Sequence, residues 1–463
     1  MSNFQNFGSF RDPAGLVFEK DGSIYRTVNQ AGREDYELFV TSGLSETLQK
    51  NGWIIPFREI AVSPFDSKPA DGNVWKFLEV DRVPFISYPY EWCFSQLRDS
   101  AILTLKIQQA ALEHGMTLKD ASAYNVQMFR SRPIFIDILS FEKYEEGRPW
   151  TAYRQFCMHF LGPLLLMSRK DLRFSALFRD WIDGFPLDFV SKNLPWRSRF
   201  SPSCQIHIHA HAKMLRKYES TRDQSLNKTA GSISLDKLKL LIRNLLDMVQ
   251  SISLPYQATE WGDYYNDTNY TQGAFGAKHK LVSELCEQLQ PKKLVDLGAN
   301  CGEFSRGLPS CIETLISADI DPVAVDKNYV QVRKAREKNL YPVLQDLTNP
   351  SPGIGFLNRE RKSFMERARC DVSLSLALIH HLCIGNNLPF DYVAQMLSAL
   401  GDRAILEFVP KQDSQVQRLL SSREDIFPDY NLESCISAFK SYFPTVETFP
   451  ISDSDRTLIL FSK

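Results

Sequence analysis

The 463-residue chain has no long apolar run, no paired-cysteine motif and no excess of charge. Each absence removes a class of function. The longest apolar stretch, Phe160 to Met167, is interrupted by Gly162 and Pro163 and falls short of the roughly 18–20 residues that cross a bilayer. The start, MSNFQNFGSFRDP, lacks the basic and apolar regions of a signal peptide, so a cytoplasmic address and no membrane partner are expected. Lys and Arg number 54 against 55 Asp and Glu, which removes the clustered positive excess that general nucleic-acid binding needs. The nine cysteines are odd in number and never form C-x-x-C, so neither a disulfide framework nor a zinc knuckle is expected. No internal repeat or low-complexity tract occurs.

The length suggests two or three domains. A polar stretch, Glu219 to Ser234, separates an N-terminal part (1–218) from a linker with a helical pattern (219–255) and a C-terminal part (256–463). The linker helix spans Leu235 to Val249, with apolar residues at helical spacing behind a Ser234 cap. An aromatic cluster, Trp261, Tyr264, Tyr265 and Tyr270, then precedes a helix around Ala277 to Leu289. From Lys292 onward, the strand-like runs KLVDLG, TLISADID, YPVLQD, CDVSLSLA and RAILEFV alternate with amphipathic segments. That rhythm predicts βαβ units, and hence an α/β fold with a doubly wound, mostly parallel sheet. Val446 to Ser452 and Arg456 to Ser462, separated only by Asp453 to Asp455, predict a terminal antiparallel hairpin.

The chemistry concentrates where the first run ends. Asp296-Leu-Gly298-Ala-Asn300-Cys-Gly302 is D-x-G-x-x-x-G rather than the dinucleotide G-x-G-x-x-G, and its acid favours a cationic ligand group such as a sulfonium or ammonium. Asp319, at the end of the second run, stands where an acid accepts both hydrogens of a ribose diol. Asp321 competes with it, but precedes Pro322 as a helix cap would. Asp346, ending the third run, suits an adenine amino group. His380 and His381 follow the fourth run, and Glu407 ends the fifth; each is a candidate base on the acceptor side.

These motifs, VDLGANCGEFS, ADID, QDL and CDVSLSLALIHHL with the terminal hairpin, resemble the class I S-adenosylmethionine-dependent methyltransferases from about Trp261 to Lys463. The resemblance implies a Rossmann-like seven-stranded sheet with S-adenosylmethionine across its strand ends. It implies that Asp296, Gly298 and Gly302 meet the methionyl part, Asp319 the ribose and Asp346 the adenine, with Asn300, Ile320 and Leu347 also among the cofactor-binding residues. The pattern LEFVPKQDSQVQRLLSSREDIFPDY and the unusual N-terminal half are similar to the rhizobial host-specificity nodulation family of NoeA. That likeness implies a methyltransferase-like protein connected with host-specific nodulation without telling the acceptor; a small molecule or glycan-like precursor is the expected acceptor class.

The N-terminal half predicts an α+β domain. GLVFEKDGSIYRTV reads as a hairpin, Glu34 to Lys50 as one helix, WKFLEVDRV and FISYPYEW as strands, Phe94 to Gly115 as a long helix, and VQMFRSRPIFID as a second hairpin. Asp120, Asn125 and Asp137 resemble the catalytic loop and metal-binding acid of protein-kinase-like folds. The glycine-rich phosphate loop is absent, and Arg26 is the nearest positional substitute for a phosphate-binding lysine. A phosphotransferase or a non-catalytic binding module is therefore the competing reading of this half. His207, His209 and His211 share a face only on a strand, whereas on a helix His207 and His211 do. No metal site is assigned to them.

Overall fold

The computed structural model describes residues 7–65, 73–214, 232–254, 272–421 and 423–463. The chain divides into two compact units, Met1–Tyr256 with Ile354–Arg361, and Gln257–Gly353 with Lys362–Lys463. The aromatic residues 261, 264, 265 and 270, and residues 219–231 of the polar stretch, lie outside the described residues. Among the described residues no helix is long and apolar enough to cross a membrane.

In the first unit, β1 (Val17–Lys20), β2 (Ser23–Asn29), β3 (Phe57–Ile60) and β4 (Val74–Val80) form an antiparallel sheet in the order β1-β2-β4-β3. Asp21 and Gly22, both at positive φ, make the tight turn of its first hairpin. The single helix expected over 34–50 is instead two, Arg33–Thr41 and Leu44–Lys50. Gly43, at φ +81°, breaks it in a left-handed conformation open to glycine. FISYPYEW is not a strand either: Pro89–Glu91 is a 3-10 turn. Side chains hold that segment in place of a ladder, for Gln127 bonds both backbone groups of Ser87 and the Trp92 indole donates to the Ser87 hydroxyl.

The helix Phe94–Glu113 leads to β5 (Met116–Leu118), and a hairpin of β6 (Val126–Phe129) and β7 (Arg132–Phe135) follows. β8 (Phe141–Lys143) pairs antiparallel with β5. The helix Leu235–Ser251 belongs to this unit and buries Leu238, Ile242, Leu245 and Val249. Ser234 makes no side-chain cap there; the Glu146 carboxylate accepts from Leu235 N instead.

The second unit is one seven-stranded sheet: β9 (Lys293–Leu297), β10 (Thr314–Asp319), β11 (Leu340–Leu344), β12 (Cys370–Ser375), β13 (Gly401–Phe408), β14 (Thr445–Pro450) and β15 (Thr457–Ser462). The order is β11-β10-β9-β12-β13-β15-β14, parallel from β11 to β13, with β15 antiparallel to both its neighbours. The sequence alternation arises because parallel strands need crossover helices, and Pro322–Ala335 and Phe390–Leu400 are two of these. Leu294, Leu315, Val372, Leu374, Ile405 and Leu460 from five parallel or reversed strands form a core with Val282, Leu285 and Cys286 of the helix Gln272–Leu289. The order in which strands are added reverses at β9, which lies between β10 and β12. In such sheets the strand ends at this point open a crevice that binds ligands.

Candidate functional site

The loop after β9 lies at that crevice. Gly298, Asn300 and Gly302 all have positive φ, at 73°, 51° and 78°. Asn300 carries a side chain that tolerates this region, whereas an added Cβ on Gly302 would stand 2.7 Å from the Asn328 amide and 2.8 Å from Arg306 Nη1. Gly298 N and Ala299 N both donate to Ala318 O of β10, which ties the loop to the neighbouring strand.

Asp319 completes the tie. Its Oδ2 accepts from Asn300 N and its Oδ1 from Asp321 N, each at 2.8 Å. Asp321 instead caps the following helix, accepting from Val323 N at 2.7 Å and Ala324 N at 3.3 Å. The two acids thus separate into a loop-holding carboxylate and a cap. Burial pushes Asp319 up to about 6, against the backbone donors that favour its charge. Asp296, 2% exposed, lies beneath the loop and accepts from the Ser305 hydroxyl at 2.6 Å. Burial also moves it up to about 6, although Ser305 and the nearby Lys278 pull the other way. Gln345 N donates to Asp319 O, bringing Asp346 alongside; Asp346 Oδ1 holds Thr348 N and Oγ1. Ile320 is 56% exposed next to Asp319, and Leu347 is half-buried.

Sequence reasoning missed the residues that hold this loop from behind. The Arg306 guanidinium donates to Cys301 O at 2.6 Å, Gly302 O at 3.1 Å and Asn328 Oδ1 at 2.7 Å, and pairs with Glu337 at 3.0 Å. Asn328, 1% exposed in the middle of a helix, donates in turn to the Ser317 hydroxyl. Arg306 sits four residues after Gly302, the one local hint of its role.

The candidate bases come out differently from the expectation. Glu407 does not face the rim: it is fully buried, and its Oε2 lies 2.6 Å from Lys278 Nζ and accepts from Ala377 N at 2.7 Å, while Oε1 lies 3.4 Å from Arg456 Nη1. His380 is 1% exposed, and its Nδ1 finds no hydrogen-bond partner among the described residues. Its ring lies 4.1 Å from that of His381. Burial, with the cations Arg456 and Lys278 adding to it, lowers His380 well below the usual imidazole value; burial and Arg456 lower His381 to about 4. Burial thus favours the neutral form of both imidazoles.

In the first unit Asp120, Asn125 and Asp137 do converge. Asp120 accepts from Ser122 N at 2.9 Å, and burial followed by the neighbouring Asp137 charge raises its pKa. Asn125 Nδ2 reaches the Ser140 hydroxyl at 3.4 Å, and that hydroxyl donates to Asp137 Oδ2. Arg26, 8% exposed, lies 2.5 Å from Asp137 Oδ1 and 2.9 Å from Asp12 Oδ2. The second acid is therefore engaged by a guanidinium of its own chain. The histidine run is helical, and His207 has both ring nitrogens in hydrogen bonds, to Tyr153 OH and Asn244 Oδ1. His209 turns to Ser191 and Ser198, while His211 stacks on Tyr153. Among the described residues no cluster of His, Cys, Asp and Glu could hold a metal.

A parallel sheet with its order reversing at β9, one reversed strand beside β13, and an acid-and-glycine loop at the crevice make the second unit a doubly wound α/β fold. No protein-family model matches the chain. It is 35% identical over 460 residues to the nodulation protein NoeA of Rhizobium meliloti strain 1021, covering 98% of this chain and 95% of that one. The chain belongs to the NoeA family. Solved structures resemble it over less than half its length. They include the N-methyltransferase NodS of Bradyrhizobium japonicum (12% identity, 42% of this chain and 97% of that one, TM-score 0.31). The magnesium protoporphyrin IX methyltransferase of Synechocystis with bound SAH is another (15%, 44% and 92%, TM-score 0.30).

Proposed function

We propose that this protein transfers a methyl group from S-adenosylmethionine to a small-molecule or glycan-like acceptor, in the nodulation context that the name of its relative carries. The observation that supports the reading is Asp319, a buried carboxylate at the end of β10 whose Oδ2 takes the Asn300 N–H of the crevice loop and whose Oδ1 takes the Asp321 N–H of its own turn. A carboxylate has about four lone-pair sites, so acceptor capacity remains for a ribose diol beside these two N–H groups and that of Ile320. The donor set fits the rest of the cofactor as well. Exposed Ile320 offers apolar surface beside the diol, and Asp346, engaged through Oδ1, keeps Oδ2 for an exocyclic amino group. Bound there, the cofactor supplies a methyl group on a sulfonium that is already a good leaving group.

The chain's own contribution is then to bind, orient and exclude water. With Glu407 locked and both histidines held neutral, catalysis rests on positioning, which can supply about 7–11 kcal/mol without an acid or base. For the first unit we propose a kinase-like fold kept without phosphotransfer, because Asp137 is bound by Arg26 and Ser140. Calorimetric titration of S-adenosylhomocysteine into the full-length protein and its Asp319→Ala variant tests the main reading, with magnesium–ATP titrated in parallel. Micromolar binding to the unaltered protein alone is expected; binding of ATP without S-adenosylhomocysteine would overturn both statements.

A further inference from the structure

The second unit buries a cation that the proposed reaction does not use. Lys278, on the helix Gln272–Leu289, is 1% exposed. Ammonium is strongly hydrated, so placing it in a core is costly unless its neighbours compensate and the site gains something by it. Its neighbours belong to three separate rims of the crevice. The Nζ atom lies 2.6 Å from Glu407 Oε2 at the end of β13, and Glu407 in turn holds Ala377 N, at positive φ, just past β12. The same Nζ lies 4.4 Å from the centroid of the Phe304 ring, two residues beyond Gly302. Phe275 and His279 of the Lys278 helix pack on that ring as well, with centroids at 5.3 and 5.2 Å. Asp296, at the end of β9, feels the Lys278 charge. On the far side Arg456 bridges Glu407 to Asp413, at 3.4 and 2.7 Å.

We infer that Lys278 is a positioning residue: one buried ammonium sets the glycine loop through Phe304 and the turn before His380 through Glu407, so that the cofactor and acceptor sides of the crevice keep a fixed relation. Its importance for ligand binding rests on the cofactor reading above, whereas the clamp itself does not. A hydrophobic residue at 278 would fill the same space and could even stabilise the fold, but it would connect neither rim to the other.

Two full-length variants test this, Lys278→Met and the double variant Lys278→Met with Glu407→Gln. Three readouts are needed: hydrogen exchange of residues 298–306 and 376–382 in the ligand-free protein, melting temperature, and S-adenosylhomocysteine affinity. Removing the lysine alone leaves a buried carboxylate with less compensation, so it lowers the melting temperature as well as positioning. The double variant removes both charges and regains stability. The expected pattern is faster exchange in both segments and about tenfold weaker binding in both variants, with the melting temperature recovering only in the double variant. Recovery of protection and affinity together with melting temperature would make Lys278 purely structural and overturn the inference. Unchanged exchange in Lys278→Met would overturn it too. If exchange follows the expected pattern while the unaltered protein takes no S-adenosylhomocysteine, the clamp stands and the cofactor reading falls.

Discussion

Replacing Asp319 by alanine separates binding from folding, because the two effects differ in size. The carboxylate accepts from two backbone groups, Asn300 N and Asp321 N, both at 2.8 Å. Leaving two buried N–H groups without an acceptor costs about 1–3 kcal/mol each. Against that, the carboxylate is itself unfavourably buried: its pKa lies at about 6 against an ordinary 3.8. At neutral pH that shift corresponds to roughly 3 kcal/mol of destabilisation removed with the charge. The two contributions nearly cancel, so Asp319→Ala should melt within several degrees of the unaltered protein. Binding has no such offset. Two hydrogen bonds from a ribose diol to a charged acceptor are worth about 1.5–3 kcal/mol each, so affinity for S-adenosylhomocysteine should fall at least 100-fold. Calorimetry with thermal unfolding on the same samples reads both quantities. Asp319→Asn, which keeps one acceptor oxygen, should fall between. Affinity within threefold of the unaltered protein would refute the assignment, and a melting temperature lowered by tens of degrees would make Asp319 structural.

Other expectations follow from the same geometry. Asp296 and Asp319 both titrate at about 6 when folded, above the ordinary 3.8, so the folded state holds their protons more tightly. Their contribution to stability is full below about pH 4 and is lost as pH rises through about 6; denaturant unfolding at pH 4 and 7 should show this decline shrink in Asp296→Asn, and an identical decline would refute it. Both imidazoles of His380 and His381 should stay neutral from pH 5 to 8 by NMR, and a titration near 6.5 in either would restore the base reading. Gly302→Ala places a Cβ at φ +78° against Asn328 and Arg306, and should cost about 2–4 kcal/mol in denaturant unfolding; a loss under 0.5 would contradict the tight loop. In the first unit, Asp137→Ala strips a partner from nearly buried Arg26 and should destabilise by about 3 kcal/mol, whereas a neutral effect would show that the pair is not formed.

The C-terminal architecture was legible because parallel strands buried on both faces write continuous apolar runs, and turn chemistry punctuates them. The runs ending at Asp296, Asp319 and Asp346 became β9, β10 and the residues after β11, and Asp321 took the cap that its place before Pro322 suggested. The first unit was harder to read. FISYPYEW has the alternation and aromatics of a strand, yet Gln127 and Trp92, distant or local in sequence, satisfy its backbone with side chains. The helix over 34–50 was periodic throughout, and a single left-handed glycine at 43 divided it.

The sequence alone determined which residue types stand at each strand end, since that depends on local pattern: an acid, two glycines and an asparagine that accept positive φ, and a histidine pair after β12. The tertiary structure decided what each of them does. Whether Glu407 meets a ligand or a lysine and whether His380 stays neutral depend on burial and on partners far apart in the chain. Lys278 and Glu407 are separated by more than half of the C-terminal sequence and meet only because β13 and the helix before β9 pack on one another. Charge in a protein interior is governed by such neighbours, and a single sequence does not record them.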